Sequence, residues 1–190
     1  MRAPKALPNW LTIARIVLIP ALVALFFVPG PGGSAALAAV FVIASITDWL
    51  DGYFARKLQV VSRLGTFLDP IADKLMVAAA LVMLAGDGRL GLAGSVAAVI
   101  ILLRELFIAG LREYLAGAEI NVPVSQLAKW KTAAQMVAIT VLLLAPALGV
   151  AAALAHMTGL ILLWLAAAMT AVTGWQYWQG ALPVLRTPSR

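Results

Sequence analysis

The chain has no cysteine, a single histidine and only eight acidic residues among 190. Without cysteine there can be no disulfide, no thiolate metal site and no cysteine nucleophile. One histidine nearly excludes an imidazole-based zinc centre, which draws on two or three. Charge of either sign is scarce, at 12% of residues against about 25% in an average soluble domain. Residues 16–47 contain no Asp, Glu, Lys or Arg, and neither do residues 132–185.

Apolar surface takes their place. Hydrophobic residues make up 63% of the chain, more than a fold of this length can hide in its own interior, so a lipid bilayer must cover the rest. The formal charge of +6 would suggest nucleic acid in a soluble protein. Here it fits Lys and Arg retained on the cytoplasmic side of a membrane, and no nucleic-acid partner is expected.

The expected fold is all-α, a six-transmembrane-helix bundle with both termini cytoplasmic, in one membrane domain spanning residues 1–190. Breaks at Pro29–Gly33, Arg56–Arg63, Gly86–Gly91, Leu115–Leu127 and Pro146–Gly149 leave spans near 10–28, 35–57, 67–86, 91–114, 128–146 and 151–176. Residues 2–28 have the outline of a signal peptide. The small-residue stretch Ala36–Ala39 already belongs to the next apolar segment, so a retained first helix is expected. Alternate loops collect Arg2, Lys5, Arg56, Lys57, Arg63, Arg112, Lys129, Arg186 and Arg190 on one side and Arg89 alone on the other. That asymmetry sets the orientation. Trp10, Trp49, Trp130, Trp175, Tyr177 and Trp178 gather toward the basic side, as an interfacial belt would.

Ionisable residues inside spans are costly and mark function. Asp48 lies 14 residues beyond Ser34, and Asp73 lies 14 before Asp87, so each is about 21 Å from the outer turns. Asp51, Asp69, Arg15, Arg104 and Lys131 fall in the same band, roughly 20–27 Å deep. Asp48 and Asp51 are three residues apart and Asp69 and Asp73 four apart, so each pair shares a helix face. The short loop between their helices predicts that the pairs meet. Four carboxylates in a low dielectric repel unless divalent cations neutralise them. Oxygen-only ligands suit Mg²⁺ or Mn²⁺, and such ions beside basic groups can hold a diphosphate. Gly52 and Gly65 allow close approach of a ligand or of a packed helix.

The run Asp48-Trp-Leu-Asp51-Gly52-Tyr-Phe-Ala55-Arg56, followed after eight residues by Gly65-Thr-Phe-Leu-Asp69-Pro-Ile-Ala-Asp73, resembles the signature of the CDP-alcohol phosphatidyltransferases at each fixed position. The resemblance implies two Mg²⁺ or Mn²⁺ ions on Asp48, Asp51, Asp69 and Asp73, with Asp73 also the catalytic base. It implies Gly52, Arg56 and Gly65 beside the CDP moiety, and a homodimer in a bacterial inner membrane with the active site facing the cytoplasm. The stretches Pro8–Arg15, Arg104–Glu113 and Val124–Thr132 resemble the branch that makes phosphatidylglycerol phosphate from CDP-diacylglycerol and sn-glycerol 3-phosphate. Asn9, Thr12 and Arg15 are then expected to support the metal ligands from behind.

An acceptor that carries its own phosphate needs cations, and Arg104, Arg112, Lys129 and Lys131 are the candidates. Arg104 has only Glu105 or an aspartate to pair with. Buried cations lacking an anion are expensive, so these groups are expected to stand ready for a phosphate. Lys129 can equally be an anchor reaching the headgroups. Helix 6 offers little beyond hydrophobicity, His156 reads as structural, and Asp87 with Arg89 reads as a solvated turn. Rival readings are another acceptor (inositol phosphate, serine or a phosphatidyl lipid), a membrane prenyltransferase, and a divalent-cation transporter.

Overall fold

A computed structural model of the chain describes residues 7–58, 63–117 and 126–185. Within these, the side chains at 7–12, 49, 51–58, 63–67, 69, 70, 126, 128, 129 and 184 lie outside the description. Six helices follow in order: α1 Leu7–Leu25, α2 Gly30–Leu58, α3 Arg63–Gly86, α4 Gly91–Gly117, α5 Gln126–Leu144 and α6 Ala152–Leu185. There is no strand among the described residues.

The expected breaks at Gly86–Gly91 and Pro146–Gly149 are found, the one at Pro29–Gly33 is corrected, and those at Arg56–Arg63 and Leu115–Leu127 lie largely outside the described residues. Residues 30–33, read from sequence as a turn, open α2. Pro31 is tolerated there because the first turn of a helix has no partner for its N–H groups. The break at Pro146–Gly149 is a pair of 3-10 turns, Ala145–Ala147 and Gly149–Ala151. Gly149 has φ +52°, a left-handed value that reverses the chain and that a side chain would disfavour.

Four segments are long and apolar enough to cross a membrane: Gly30–Asp48, Gly91–Gly117, Trp130–Ala147 and Gly149–Pro183. Among the described residues the apolar segment of α1 is Ile13–Leu25, which contains Arg15. In α3, Asp69, Asp73 and Lys74 leave only the residues from Leu75 onward uninterrupted by charge. Both helices thus carry charged residues among apolar ones.

The bundle is built from two groups of three. Helix α1 packs on both α2 and α3, while α6 packs on both α4 and α5. Contacts of α2 with α5, and of α3 with α4 and α5, join them. Among the described residues the main packing of α2 and α3 is against α1, and the ends of α2 and α3 where the two aspartate pairs would meet lie largely outside the description. Leu22, Phe41, Leu81, Leu84, Ile101, Ile139, Leu142 and Leu163 are fully buried at the centre, and together they come from all six helices. Outward faces stay apolar: Val17, Leu92, Leu103, Leu106, Leu154 and Ile161 are all exposed, as lipid-facing residues must be.

Helices α4 and α6, at 27 and 34 residues, are about 40 and 51 Å long, beyond the ~30 Å hydrocarbon core. Their extra turns pack on each other. Ile108, Leu111 and Leu115 meet Tyr177 and Ala181 in a second small core, flanked by Trp178 and Leu185. Tyr177 is buried there, so it leaves the interfacial belt expected from sequence, while Trp130 and Trp175 remain exposed.

Candidate active site

Polar burial is concentrated at one level. Among the described residues, the buried polar side chains besides Ser34 are Arg15 on α1, Lys131 and Gln135 on α5, and Thr170 and Thr173 on α6. Lys131 and Gln135 are one turn apart, as are Thr170 and Thr173, so each pair lines one face.

On the first group of helices, Arg15 Nη1 lies 2.6 Å from Asp48 Oδ1. The arginine is 1% exposed and the carboxylate 34%, so a buried cation holds one edge of a carboxylate whose other side opens outward. Asp73 is half-buried on α3. Asp51 lies one turn beyond Asp48, and Asp69 one turn before Asp73. The side chains of Asp51 and Asp69 lie outside the described residues, as do those of Asn9, Thr12, Arg56 and Lys129 and the surroundings of Gly52 and Gly65.

On the second group, Glu105 Oε1 accepts hydrogen bonds from both Arg104 Nη1, at 3.0 Å, and Lys131 Nζ. Arg104 Nη2 donates to Thr173 Oγ1 at 3.1 Å. The two groups meet here. Helix α3, which bears Asp73 and Lys74, packs on both α4 and α5. Arg112 takes another position: it is exposed, with its guanidinium 5.7 Å from the centre of the Tyr177 ring. This distance is within cation–π range.

Two expectations change. Arg104 and Lys131 are not cations without an anionic partner, because Glu105 Oε1 accepts from both and partly offsets their charge. And α6 is more than an apolar span, since it supplies Thr173 and Tyr177 to two of the basic side chains. The signal for this was weak in sequence: two threonines and a glycine in an uncharged stretch have no distinctive spacing.

No group of three or more metal-ligating side chains occurs among the described residues, which exclude two of the four aspartates. The donor set available suits a hard cation. It consists of carboxylates, with no cysteine in the chain, and His156 lies at the opposite end of α6 against Arg89. Asp48 and Asp73 offer oxygen donors of the kind that fit Mg²⁺ or Mn²⁺.

The sequence matches the CDP-alcohol phosphatidyltransferase family over residues 5–172. The chain belongs to that family. It is 43% identical over 179 residues to CDP-diacylglycerol–glycerol-3-phosphate 3-phosphatidyltransferase of Rickettsia prowazekii, covering 94% of this chain and 97% of that one. It is 40% identical to the protein of the same name from Bacillus subtilis, over 95% and 97% of the two chains. A cardiolipin synthase (CMP-forming) from Oryza sativa is 44% identical over 72% of this chain and 45% of its own length. Membership makes this protein a phosphatidyltransferase, and the apolar helices place it in a membrane.

A groove of about 440 Å³ runs between α2 and α5, lined by Val42, Ser45, Ile46, Met136, Val137, Thr140 and Val141. Ser45 is one turn from Asp48, and Ile46 and Val137 are exposed, so the groove starts near the polar level and opens on the outer face of the bundle. Its lining is mostly aliphatic.

Proposed function

We propose that this protein transfers the phosphatidyl group of CDP-diacylglycerol to the 1-hydroxyl of sn-glycerol 3-phosphate, releasing CMP and forming phosphatidylglycerol phosphate. One observation carries the reading: Arg104 and Lys131, cations from two helices, are gathered on one oxygen of Glu105, and α3, which bears Asp73, packs on both of those helices. An acceptor can place its phosphate on the cations while its hydroxyl faces the base. The names of the near-full-length relatives support the same acceptor.

Asp73 takes the proton of the attacking hydroxyl. The freed oxygen bonds to the phosphorus that bears diacylglycerol, and the bond from that phosphorus to CMP breaks, CMP leaving with the electron pair. Asp48, Asp51, Asp69 and Asp73 are the residues that would hold Mg²⁺ or Mn²⁺, which supplies charge neutralisation on the diphosphate when bound. Arg15 fixes the orientation of Asp48. Arg104 and Lys131 orient the acceptor, and Gly52, Arg56 and Gly65 border the CDP moiety. The groove between α2 and α5 suits the acyl chains, since it is apolar and starts one turn from Asp48. In this reading α1 and α3 complete six crossings within a single domain. Both termini and the active site face the cytoplasm of a bacterial inner membrane, and the enzyme works as a homodimer.

The test is CMP release by purified protein. With CDP-diacylglycerol, sn-glycerol 3-phosphate should support turnover far better than glycerol, serine, inositol or inositol phosphate. Equal turnover with glycerol removes the phosphate pocket. A second reading, a phosphatidyl lipid as acceptor, draws on the rice relative's name. Release of CMP with phosphatidylglycerol but not with sn-glycerol 3-phosphate would establish it instead.

A further inference from the structure

Arg104 is gripped on three sides. Its Nη1 donates to Glu105 Oε1 and its Nη2 to Thr173 Oγ1, which pins both ends of the guanidinium plane. Its stem lies across Gly174 on α6, where an added Cβ would stand 2.8 Å from Arg104 Cγ and 3.1 Å from Nε. That gap fits no side chain unless Arg104 moves. Thr173 is itself anchored, its hydroxyl lying 2.8 Å from the Met169 carbonyl and 3.1 Å from that of Thr170. Lys131 reaches the same glutamate oxygen from α5. Two like charges, from different helices, are thereby collected around one atom, and neither α4 nor α5 does this alone because both lean on α6.

We infer that Glu105 and the Thr173–Gly174 notch of α6 position Arg104 and Lys131 as a preformed grip for the acceptor's phosphate. This rests on the proposed assignment of those two cations to the acceptor. Glu105 offsets one of the two positive charges while the site is empty, so the cations can sit close without repelling each other apart. Its single shared oxygen sets their spacing. The notch fixes the depth of Arg104 without adding charge, so α6 controls acceptor binding although it contributes no ionisable group to the site. None of the three need touch the acceptor; they act through Arg104 and Lys131.

The experiment measures KM for sn-glycerol 3-phosphate and, separately, for dioleoyl CDP-diacylglycerol, with the full-length protein in detergent. Gly174→Ala, Thr173→Val and Glu105→Gln should each raise the acceptor KM about tenfold or more, with the lipid KM within about twofold. Glu105→Asp should recover part of the loss. Gly174→Ala and Thr173→Val change no charge, so they keep the test informative where Glu105→Gln misfolds. If Arg104→Ala and Lys131→Ala raise the acceptor KM while the Gly174 and Thr173 variants do not, the positioning role is wrong and the acceptor site stands. If Arg104→Ala and Lys131→Ala leave the acceptor KM unchanged, the assignment of the cations falls, and the inference with it. A general weakening would raise both KM values together and would also overturn it.

Discussion

Arg15 and Asp48 face each other across the α1–α2 interface at 2.6 Å, the arginine almost wholly enclosed and the carboxylate one-third open. The pair ties α1 to α2 while leaving one side of the carboxylate accessible. Breaking a fully buried pair costs about 3–5 kcal/mol; partial exposure of Asp48 reduces this to about 2–3 kcal/mol here. Arg15→Met should therefore lower the unfolding temperature in detergent and remove most activity. Unchanged melting and turnover would show that the pair has no role.

The carboxylate set predicts a metal requirement. EDTA should abolish activity, and Mg²⁺ or Mn²⁺ should restore it. Asp48→Asn, Asp51→Asn and Asp69→Asn should each lose most activity while still inserting in the membrane. Asp73→Asn should lose turnover even at saturating metal, because an amide cannot accept the proton. Full activity in chelator rejects metal-assisted transfer.

Arg112 and Lys131 should behave differently, although sequence treats them alike. Lys131 is buried beside Glu105, whereas Arg112 is exposed over Tyr177. Lys131→Ala should raise the acceptor KM by about tenfold or more, and Arg112→Ala by only a few-fold. The reverse order, read from acceptor titrations at fixed CDP-diacylglycerol, would move the phosphate site to the α4–α6 end.

Orientation can be read with single cysteines, since the chain has none. Ser34 is an obvious outer site by sequence but is only 3% exposed. Val150, fully exposed in the turn before α6, replaces it. On intact cells a membrane-impermeant thiol reagent should label Val150→Cys, and Glu113→Cys only after permeabilisation. Labelling of Glu113→Cys in intact cells would invert the topology.

The turn at the opposite end is structural. Arg89 pairs with Asp87 at 2.5 Å and lies over the Phe26 ring at 5.7 Å, and its carbonyl is 2.6 Å from His156 Nε2. What reads in sequence as a solvated turn thus ties α6 to the α3–α4 connection. His156→Ala should cost about 1–2 kcal/mol of stability and leave turnover within about twofold. A loss of activity without a loss of stability would assign the histidine a different role.

Class and much of the chemistry could be read from the residues alone. Hydropathy runs are long, and a bilayer demands helices wherever they occur, so the six helices were legible, as were the turns at Gly86–Gly91 and Pro146–Gly149. The aspartates were legible because carboxylates at helical spacing within an apolar segment are too costly to keep without a function. Which neighbours those residues meet was settled only by packing between distant segments. That α1 packs on both α2 and α3, that one oxygen of Glu105 serves cations from two helices, and that Gly174 makes room for Arg104 all depend on it. Threonine and glycine carry no charge and break no hydropathy run, so their roles emerge only when α4, α5 and α6 are brought face to face.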